Sequence, residues 1–332
     1  MRRDPRSTTL VQPPDVEAAL DAHASPATPY LAGGTTLVDL VQLGHAPPER
    51  FVHLGKLDGP FTAVRVDEEA FVLGAGVRMA DAARHPALAS LPALIDALRM
   101  AASPQIREMA TLGGNVLQRT RCPYFRDPHA RCHKREPGSG CDAIGGETRG
   151  LAILGTSEWC IANYAGDLAV ALVALQGQIE TRTRSGETRT RPVAGLHRRP
   201  GQTPWHETEL EEGELITALR VPRVAGRRSV FVKARDRASY AFALASCAAA
   251  VTLDDAGRVE DATLALGGLA TVPWPCPEAD AFLVGRTLDA DTAAEAARLC
   301  LLDRVTDPRR SFAVELGRRV VQRAVMDLRV GA

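Results

Sequence analysis

Apolar residues near the start of the chain change from strand-like to helical spacing. In "TPYLAGGTTLVDLVQLG" a short predicted strand meets a glycine turn, and helical spacing begins at Leu37, with Thr35 or Thr36 as the predicted N-cap. The apolar face of this helix would hold Leu37, Leu40, Val41 and Gly44. The stretch "ERFVHLGKL" is then typical of a second strand.

A hairpin and a longer helix follow. "FTAVRVDEEAFVLGAG" alternates apolar and polar residues about an acidic turn, which predicts two antiparallel strands. "LPALIDALRMAASPQIREMATLGGN" predicts a helix that is interrupted at Ser103-Pro104 and leads to a second glycine turn. The apolar face of that helix would hold Leu91, Leu94, Leu98 and Ala102.

The pattern disappears between about Arg119 and Arg149, where no hydrophobic period is visible. It returns with a strand-like "LAILG", a helix in "AGDLAVALVALQG" led by Asp167, and a hairpin that turns at Ser185-Gly186. A structureless stretch of this length is uncommon inside a compact domain and is usually functional or disordered.

The last third of the chain reads as strands followed by helices. "SVFVKARD" and "ALASCAAAVTLDDAGRVEDATLALGGLA" predict several strands, two of them joined by a turn at "DDAGR". Two amphipathic helices are predicted over about 291–302 and 311–328. This order predicts a separate α+β unit from about residue 222 onward.

Composition narrows the functional classes. In 332 residues, 40 Lys and Arg balance 40 Asp and Glu, so no net field would attract nucleic acid or an anionic membrane. No apolar run approaches the length that spans a bilayer. The start "MRRDPRSTTLVQPPD" has two arginines but no apolar stretch behind them, so we expect no complete export signal on this chain.

The two glycine turns share a physical logic. In "AGGTTL" and "TLGGN", consecutive glycines let bare backbone approach a ligand closely, so that several N–H groups can point at one anion such as a pyrophosphate. Neither stretch is a GxGxxG fingerprint or a Walker loop. Each turn has the alternative interpretation of a tight turn that needs glycine, and spacing alone does not name a ligand.

Three segments together resemble a known family. "YLAGGTTLVDL", "ASPQIREMATLGGN" and "YAGDLAVALVAL" are similar, in order and spacing, to the flavin-binding subunit of molybdenum hydroxylases such as xanthine dehydrogenase, carbon monoxide dehydrogenase and aldehyde oxidoreductases. "FVKARDRASYAFALASCAAAV" resembles the start of that family's C-terminal domain. The resemblance covers nearly the whole chain.

The resemblance implies an α+β fold of the vanillyl-alcohol-oxidase (PCMH) type with two FAD-binding subdomains, residues 1–58 and 59–221. A C-terminal α+β domain of the CO dehydrogenase flavoprotein type would occupy residues 222–332. Asp167 would bind a ribityl or ribose hydroxyl, with helix N-capping as its alternative or additional role; Lys233 would lie near the flavin ring and Ile216 would pack on the isoalloxazine. The residues that would hold the FAD diphosphate and its surroundings are Leu31, Ala32, Gly33, Gly34, Thr35, Thr36, Leu37, Thr111, Gly114 and Asn115.

A cysteine-rich segment, residues 119–160, follows the second glycine turn. Its cysteines are Cys122, Cys132, Cys141 and Cys160, with nine, eight and eighteen residues between them. This spacing differs from the paired cysteines of zinc fingers and ferredoxins. We expect nearby cations to lower the thiol pKa values, a role open to Arg121, Arg126, Arg131, Lys134 and Arg135.

From the residues alone, several states of this segment stay open. Four thiolates suit a [4Fe–4S] cluster, three cysteines with His129 or His133 suit zinc, and two disulfides or four free thiols are the remaining choices. The resemblance favours the cluster, because "RTRCPYFRDPHARCHKREPGSGC" with "SEWC" is similar to the insertion that holds one in periplasmic aldehyde oxidoreductases. The two histidines would then face solvent.

The expected function is an electron-relay subunit rather than a complete enzyme. A molybdenum-cofactor subunit would oxidise the substrate, most simply an aldehyde to a carboxylate, and a subunit with two [2Fe–2S] centres would pass electrons to FAD here. We find no candidate general base or nucleophile. The alternatives are the FAD subunit of an NAD-dependent xanthine dehydrogenase, a stand-alone flavin oxidoreductase and a zinc-stabilised binding protein. The compartment would be the periplasm, through a signal on the [2Fe–2S] partner, or the cytoplasm.

Overall fold

The computed structural model describes residues 8–23, 25–45, 47–301 and 310–329. The opening residues 1–7, which carry part of the expectation about an export signal, lie outside these ranges. Residue 302, the predicted end of one helix, lies outside them as well.

The first unit is a small parallel sheet with two short helices. Its strands lie in the order β1–β3–β2, and Asp15 caps the first helix by accepting a hydrogen bond from the Ala18 N–H at 2.7 Å. The helix predicted to begin at Leu37 is present with Thr36 at its N-cap, but the Thr36 side chain makes no capping bond. The elements are β1 (Thr9–Val11), α1 (Val16–Ala22), β2 (Tyr30–Leu31), α2 (Leu37–Gln42) and β3 (Arg50–His53).

The second unit holds a five-stranded antiparallel sheet in the order β4–β5–β8–β6–β7. Both predicted hairpins are confirmed, whereas "LAILG" forms only an isolated bridge between Leu154 and Ala270 rather than a strand. The elements are β4 (Val64–Val66), β5 (Ala70–Gly74), α3 (Met79–Arg84), α4 (Pro92–Met100), α5 (Pro104–Arg107), α6 (Leu112–Val116), α7 (Pro123–Arg126), α8 (Asp167–Ala174), β6 (Gln178–Arg182), β7 (Thr188–Pro192) and β8 (Leu215–Pro222).

The third unit is a four-stranded antiparallel sheet followed by helices, as predicted. The helix that begins at Pro277 was not predicted, because its seven residues are too few to show a clear period. No helix in the described ranges is long and apolar enough to cross a bilayer. The elements are β9 (Arg228–Ala234), β10 (Ala245–Leu253), β11 (Val259–Gly267), β12 (Trp274–Pro275), α9 (Pro277–Leu283), α10 (Ala290–Cys300) and α11 (Ser311–Arg329).

Strand β10 joins the second and third units, because its two faces enter different cores. Ala248 and Ala250 pack in the core that surrounds α8, whereas Ala249 and Val251 pack against the C-terminal helices. This alternation follows from the two-residue period of a strand. Helix α8 is buried on every side, as its uniformly apolar sequence requires, and it carries Asp167 into the interior.

Candidate functional site

The first glycine turn lies directly against the backbone that precedes the second. A Cβ atom added at Gly33 would lie 1.9 Å from the carbonyl oxygen of Met109, so only glycine fits there. Gly34 adopts φ +73°, a left-handed conformation that side chains other than glycine rarely take. The turn between β2 and α2 is therefore fixed by a contact with residues about 75 positions away.

The second glycine turn is the start of α6. Thr111 caps this helix, and its hydroxyl accepts a hydrogen bond from the Gly114 N–H at 3.3 Å. The Gly113 N–H donates to the Ala75 carbonyl at 2.9 Å, which fixes the turn to the end of β5. A Cβ atom at Gly114 would lie 3.9 Å from the Ala32 Cβ, so the two glycine turns face each other.

Two cavities adjoin at the glycine turns. The smaller, of about 390 Å³, is lined by the whole segment 31–37 and by Ile216, and the larger, of about 870 Å³, is lined by Asn115 and Asp167. Three residues border both cavities, so the two cavities adjoin at the glycine turns, and we call the pair the cleft. The shared residues are Thr35, Thr36 and Gly114.

Asn115 presents an unused acceptor near the larger cavity. Its amide nitrogen donates to the sulfur of Met79 at 3.3 Å. Its Oδ1 is buried and has no hydrogen-bond partner among the described residues. A buried polar atom without a partner is costly, so this oxygen is a candidate for contact with a ligand hydroxyl.

Asp167 is held by Lys233 rather than serving as a helix cap. Gly166 occupies the N-cap of α8, so the predicted capping role of Asp167 is wrong. The Lys233 Nζ lies 2.7 Å from the Asp167 Oδ2 and also donates to the Met100 carbonyl at 3.0 Å. Burial raises the pKa of Asp167, and the Lys233 charge opposes that shift.

Ile216 and Lys233, both expected near the flavin ring, take different positions relative to the two cavities. Ile216, on β8, is buried in the wall of the smaller cavity, whereas Asp167 lines the larger one. The Lys233 side chain is only 1% exposed, so it supports the wall behind Asp167 and does not itself line the cleft. Ile216 therefore lies at the smaller cavity, and Lys233 lies behind the wall of the larger one.

The cysteine-rich segment has a small core of its own, contrary to its polar appearance. Phe125 is fully buried. The centre of its ring lies 5.0 Å from the centre of the His45 ring and 4.5 Å from the guanidinium carbon of Arg119. The segment is therefore ordered by packing that includes helix α2, which sequence periodicity does not reveal. The core contains Leu40, Cys122, Phe125, Cys132, Ala143, Leu151, Cys160, Ile161 and Ala162, with Cys141 packed against it.

Most basic residues of the segment do not lower the pKa values of its thiols. Burial raises the pKa of Cys122 to about 11 and raises those of Cys141 and Cys160, with Lys134 opposing the shift only at Cys160. The expectation of lowered thiol pKa values is therefore wrong for Cys122, Cys141 and Cys160. The arginines bind other groups: Arg121 and Arg126 bind Asp39, Arg131 binds Asp142, and Arg135 donates to the carbonyls of Tyr124, Phe125 and Ala130.

The four cysteines of the segment are free thiols that share this core. Their number and type suit an iron–sulfur cluster, and Cys132 and Cys141 form an isolated antiparallel bridge. Even so, the described residues contain no group of three or more His, Cys, Asp or Glu side chains placed to hold a metal ion. His129 is exposed, whereas His133 is half-buried and packs against Trp159 with ring centres 4.7 Å apart and ring planes tilted by 48°, so the expectation that both histidines face solvent is wrong for His133.

Several residues of the cleft were not predicted from the sequence. Asp39, on α2, lines the larger cavity one helical turn after Thr35. Tyr240 and Phe242, in the β9–β10 loop, line the same cavity and are 55% and 47% exposed. The helical position of Asp39 relative to the glycine turn would have indicated its side of the helix, but nothing local marks the two aromatic residues.

Comparison with known proteins identifies the family. Residues 6–224 match the FAD-binding domain in molybdopterin dehydrogenase, and residues 230–324 match the CO dehydrogenase flavoprotein C-terminal domain. The chain is 44% identical over 268 residues to the aldehyde oxidoreductase FAD-binding subunit PaoB of Escherichia coli (strain K12), covering 80% of this chain and 82% of that protein. It is 26% identical over 321 residues to the carbon monoxide dehydrogenase medium chain of Afipia carboxidovorans, covering 93% of each.

Solved structures confirm the α+β fold. CO dehydrogenase from Oligotropha carboxidovorans superposes with a TM-score of 0.76 at 21% identity over the full length of both chains. Quinoline 2-oxidoreductase from Pseudomonas putida 86 gives a TM-score of 0.72 at 20% identity, covering 97% of this chain and 96% of that one. With the sequence matches, these similarities confirm the resemblance: the chain belongs to the family of FAD-binding subunits of molybdenum hydroxylases, and it is an oxidoreductase subunit.

Proposed function

We propose that this chain is the electron-transfer subunit of a molybdenum hydroxylase complex that oxidises aldehydes to carboxylates. The observation that carries the proposal is the cleft itself, in which two glycine turns meet and Thr35, Thr36 and Gly114 border both cavities. Two adjoining cavities with bare backbone between them suit an extended dinucleotide whose diphosphate lies at the glycine turns.

Within this cleft we assign the diphosphate to segment 31–37 and to Thr111 and Gly114. The adenine would occupy the smaller cavity against Ile216, which replaces the expectation that Ile216 packs on the isoalloxazine. The flavin ring and ribityl chain would occupy the larger cavity, where the Asn115 Oδ1 and the Asp167 carboxylate are acceptors for hydroxyl groups. Lys233 would keep the Asp167 carboxylate in place.

FAD in this position would accept electrons singly and release two to an external acceptor. The chain's own residues would bind FAD, orient it and shield it from water. The Asp167 carboxylate, fixed by Lys233, would orient the ribityl chain, and α8 behind it excludes water because all of its residues are buried. Residues 236–244 of the β9–β10 loop would cover the larger cavity from the C-terminal domain.

We further propose that Cys122, Cys132, Cys141 and Cys160 hold a [4Fe–4S] cluster. Support comes from the donor set, four free thiols on one small core, since a cubane takes four cysteine ligands. Three of the four cysteines are buried, which suits a redox centre shielded from solvent. Such a cluster would carry single electrons and would order the segment around it.

The proposed partners are a molybdenum-cofactor subunit and a [2Fe–2S] subunit. This follows from the 44% identity to a subunit named for aldehyde oxidoreductase and from the match to a domain of molybdopterin dehydrogenases. The substrate would bind the molybdenum subunit and not this chain. The proposal of an aldehyde substrate therefore rests only on the similarity to that relative.

Co-purification of the full chain with its untagged partners tests the proposal. We expect bound FAD, molybdenum and iron, with flavin absorption and a broad iron–sulfur shoulder, and faster reduction of an artificial acceptor by aldehydes than by purines. Cys132→Ser should remove about four iron atoms per complex, whereas the control Cys247→Ala, in the C-terminal core, should remove none. Purine-dependent NAD⁺ reduction would instead indicate a xanthine dehydrogenase.

Two other outcomes would replace parts of this proposal. FAD without iron, molybdenum or partners would indicate a stand-alone flavin oxidoreductase. A colourless protein with zinc at the four cysteines would indicate a zinc-stabilised binding protein and would overturn the proposal as a whole.

A further inference from the structure

The wall of the larger cavity contains a carboxylate that ought to oppose the binding of a diphosphate. Asp39 lines this cavity together with Thr35 and Thr36, one helical turn away. Hydrogen bonds from Arg126, and the charges of Arg126 and Arg121, lower the pKa of Asp39, so it is ionised at neutral pH. Alone, it would repel a dianion bound at the glycine turn.

Two arginines from the cysteine-rich segment change the net charge of this wall from negative to positive. The Asp39 Oδ2 lies 3.2 Å from the Arg121 Nη1 and 2.9 Å from the Arg126 Nη1, and the Asp39 Oδ1 accepts a second bond from Arg126 at 3.2 Å. Both arginines also line the larger cavity. Two cations against one anion leave a net positive charge beside the glycine turn.

The other charged groups around the larger cavity do not supply this charge. The charge of Asp167 is balanced by Lys233 behind the wall. The other two charged residues that line the cavity, Asp236 and Arg237, lie on the β9–β10 loop and have opposite charges. Arg121 is also held from that side, because its guanidinium lies 5.0 Å from the centre of the Phe242 ring. The arginine is therefore fixed between helix α2 and the C-terminal domain, which lowers the entropy cost of using its charge.

We propose that Arg121 and Arg126 are positioning residues for FAD: they overcompensate the charge of Asp39 and thereby let the cysteine-rich segment govern the binding of the diphosphate. This inference rests on the proposed FAD site. The two arginines flank Cys122, so any change that disorders the segment also withdraws the cations from the cleft. By linkage, occupancy of the cysteine site and affinity for FAD should then reinforce each other.

The test measures FAD affinity of the deflavinated full chain by quenching of flavin fluorescence. Arg121→Gln with Arg126→Gln should weaken binding about tenfold and reduce its dependence on salt. Adding Asp39→Asn to that pair should restore most of the affinity, because the uncompensated anion is gone. Arg84→Gln, which removes an arginine bound to two carboxylates on the surface, is the control and should change nothing.

A second variant separates charge from folding. Arg121→Lys with Arg126→Lys keeps both cations and should bind FAD within about threefold of wild type. The inference is overturned if the glutamine pair binds FAD normally, or if Asp39→Asn does not rescue it, since a purely structural role predicts no rescue. If wild type itself fails to bind FAD, the proposed function fails and this inference falls with it, so the two failures are distinguishable.

Discussion

The Nζ of Lys233 and the Oδ2 of Asp167 lie 2.7 Å apart, and their side chains are 1% and 5% exposed. The pair joins β9 of the C-terminal unit to the first turn of α8, across 66 positions of sequence. Because both charges are shielded from water, each needs the other to offset the free-energy cost of its burial. The ion pairs on the surface of this chain do not have this requirement.

Lys233→Met should therefore be strongly destabilising. It leaves a buried carboxylate without its partner, which typically costs about 3–5 kcal/mol of unfolding free energy. The double variant with Asp167→Asn removes both charges and should recover much of the loss. Urea denaturation gives these values, and the surface variant Arg319→Ala should cost less than about 1 kcal/mol. A loss for Lys233→Met no larger than that control would contradict the buried pair.

Gly33→Ala should abolish FAD binding and should also lower global stability, because the atoms that its Cβ would meet belong to the backbone. The new Cβ would lie 1.9 Å from the Met109 carbonyl oxygen, so one of the two glycine turns must move. Gly195→Ala is a suitable control, because a Cβ atom there meets nothing within 4 Å. The ratio of flavin to protein absorbance measures the effect. Full FAD occupancy in Gly33→Ala would show that the turns do not need to meet.

Phe125→Ala should unfold the cysteine-rich segment. The ring is fully buried among the cysteines, and truncation of a buried phenylalanine costs about 3–5 kcal/mol. Since the segment has its own core, we expect rapid proteolysis between residues 119 and 160 while the rest of the chain resists. Ile144→Ala, at a side chain that is 45% exposed in the same segment, is the control and should keep wild-type resistance.

His197 should make the protein less stable in acid. Burial lowers its pKa to about 4, below the ordinary value of 6.5, and its Nε2 lies 3.0 Å from the Val116 carbonyl oxygen. The unfolded chain thus binds more protons between these values, so stability should fall by at most about 3 kcal/mol as pH drops through this window. His197→Gln should remove this slope in denaturation measured from pH 7 to pH 4. An unchanged slope would assign the acid sensitivity to other groups.

Asp280 should act in the opposite direction. Burial raises its pKa from 3.8 to about 7, and its Oδ1 accepts a bond from the Leu264 N–H at 2.7 Å. Here the folded chain binds more protons, so the contribution of Asp280 to stability should be lost as pH rises from about 4 to 7. The same pH series on Asp280→Asn should show stability rising more steeply with pH than in wild type. A curve identical to wild type would mean that Asp280 titrates normally.

Local features were predictable wherever neighbouring residues decide them. The hairpin turns at Ser185-Gly186 and "DDAGR", the interruption at Ser103-Pro104 and the two glycine turns all follow from backbone preferences of a few residues. The family resemblance also lies in such short segments. The cysteine-rich segment was misjudged, because its core includes Leu40 of helix α2, which is more than 80 residues away from Cys122.

The sequence by itself therefore determined most of the strands and helices, the glycines that shape the cleft and the four thiols. The tertiary structure alone decided which of these meet: Gly33 with Met109, Asp167 with Lys233, and Asp39 with the arginines beside Cys122. It also placed Ile216 in the wall of the smaller cavity and Lys233 behind Asp167 at the larger one. The physical reason is that turns and helices depend on short-range sterics, whereas buried charges and cavities depend on packing between distant segments.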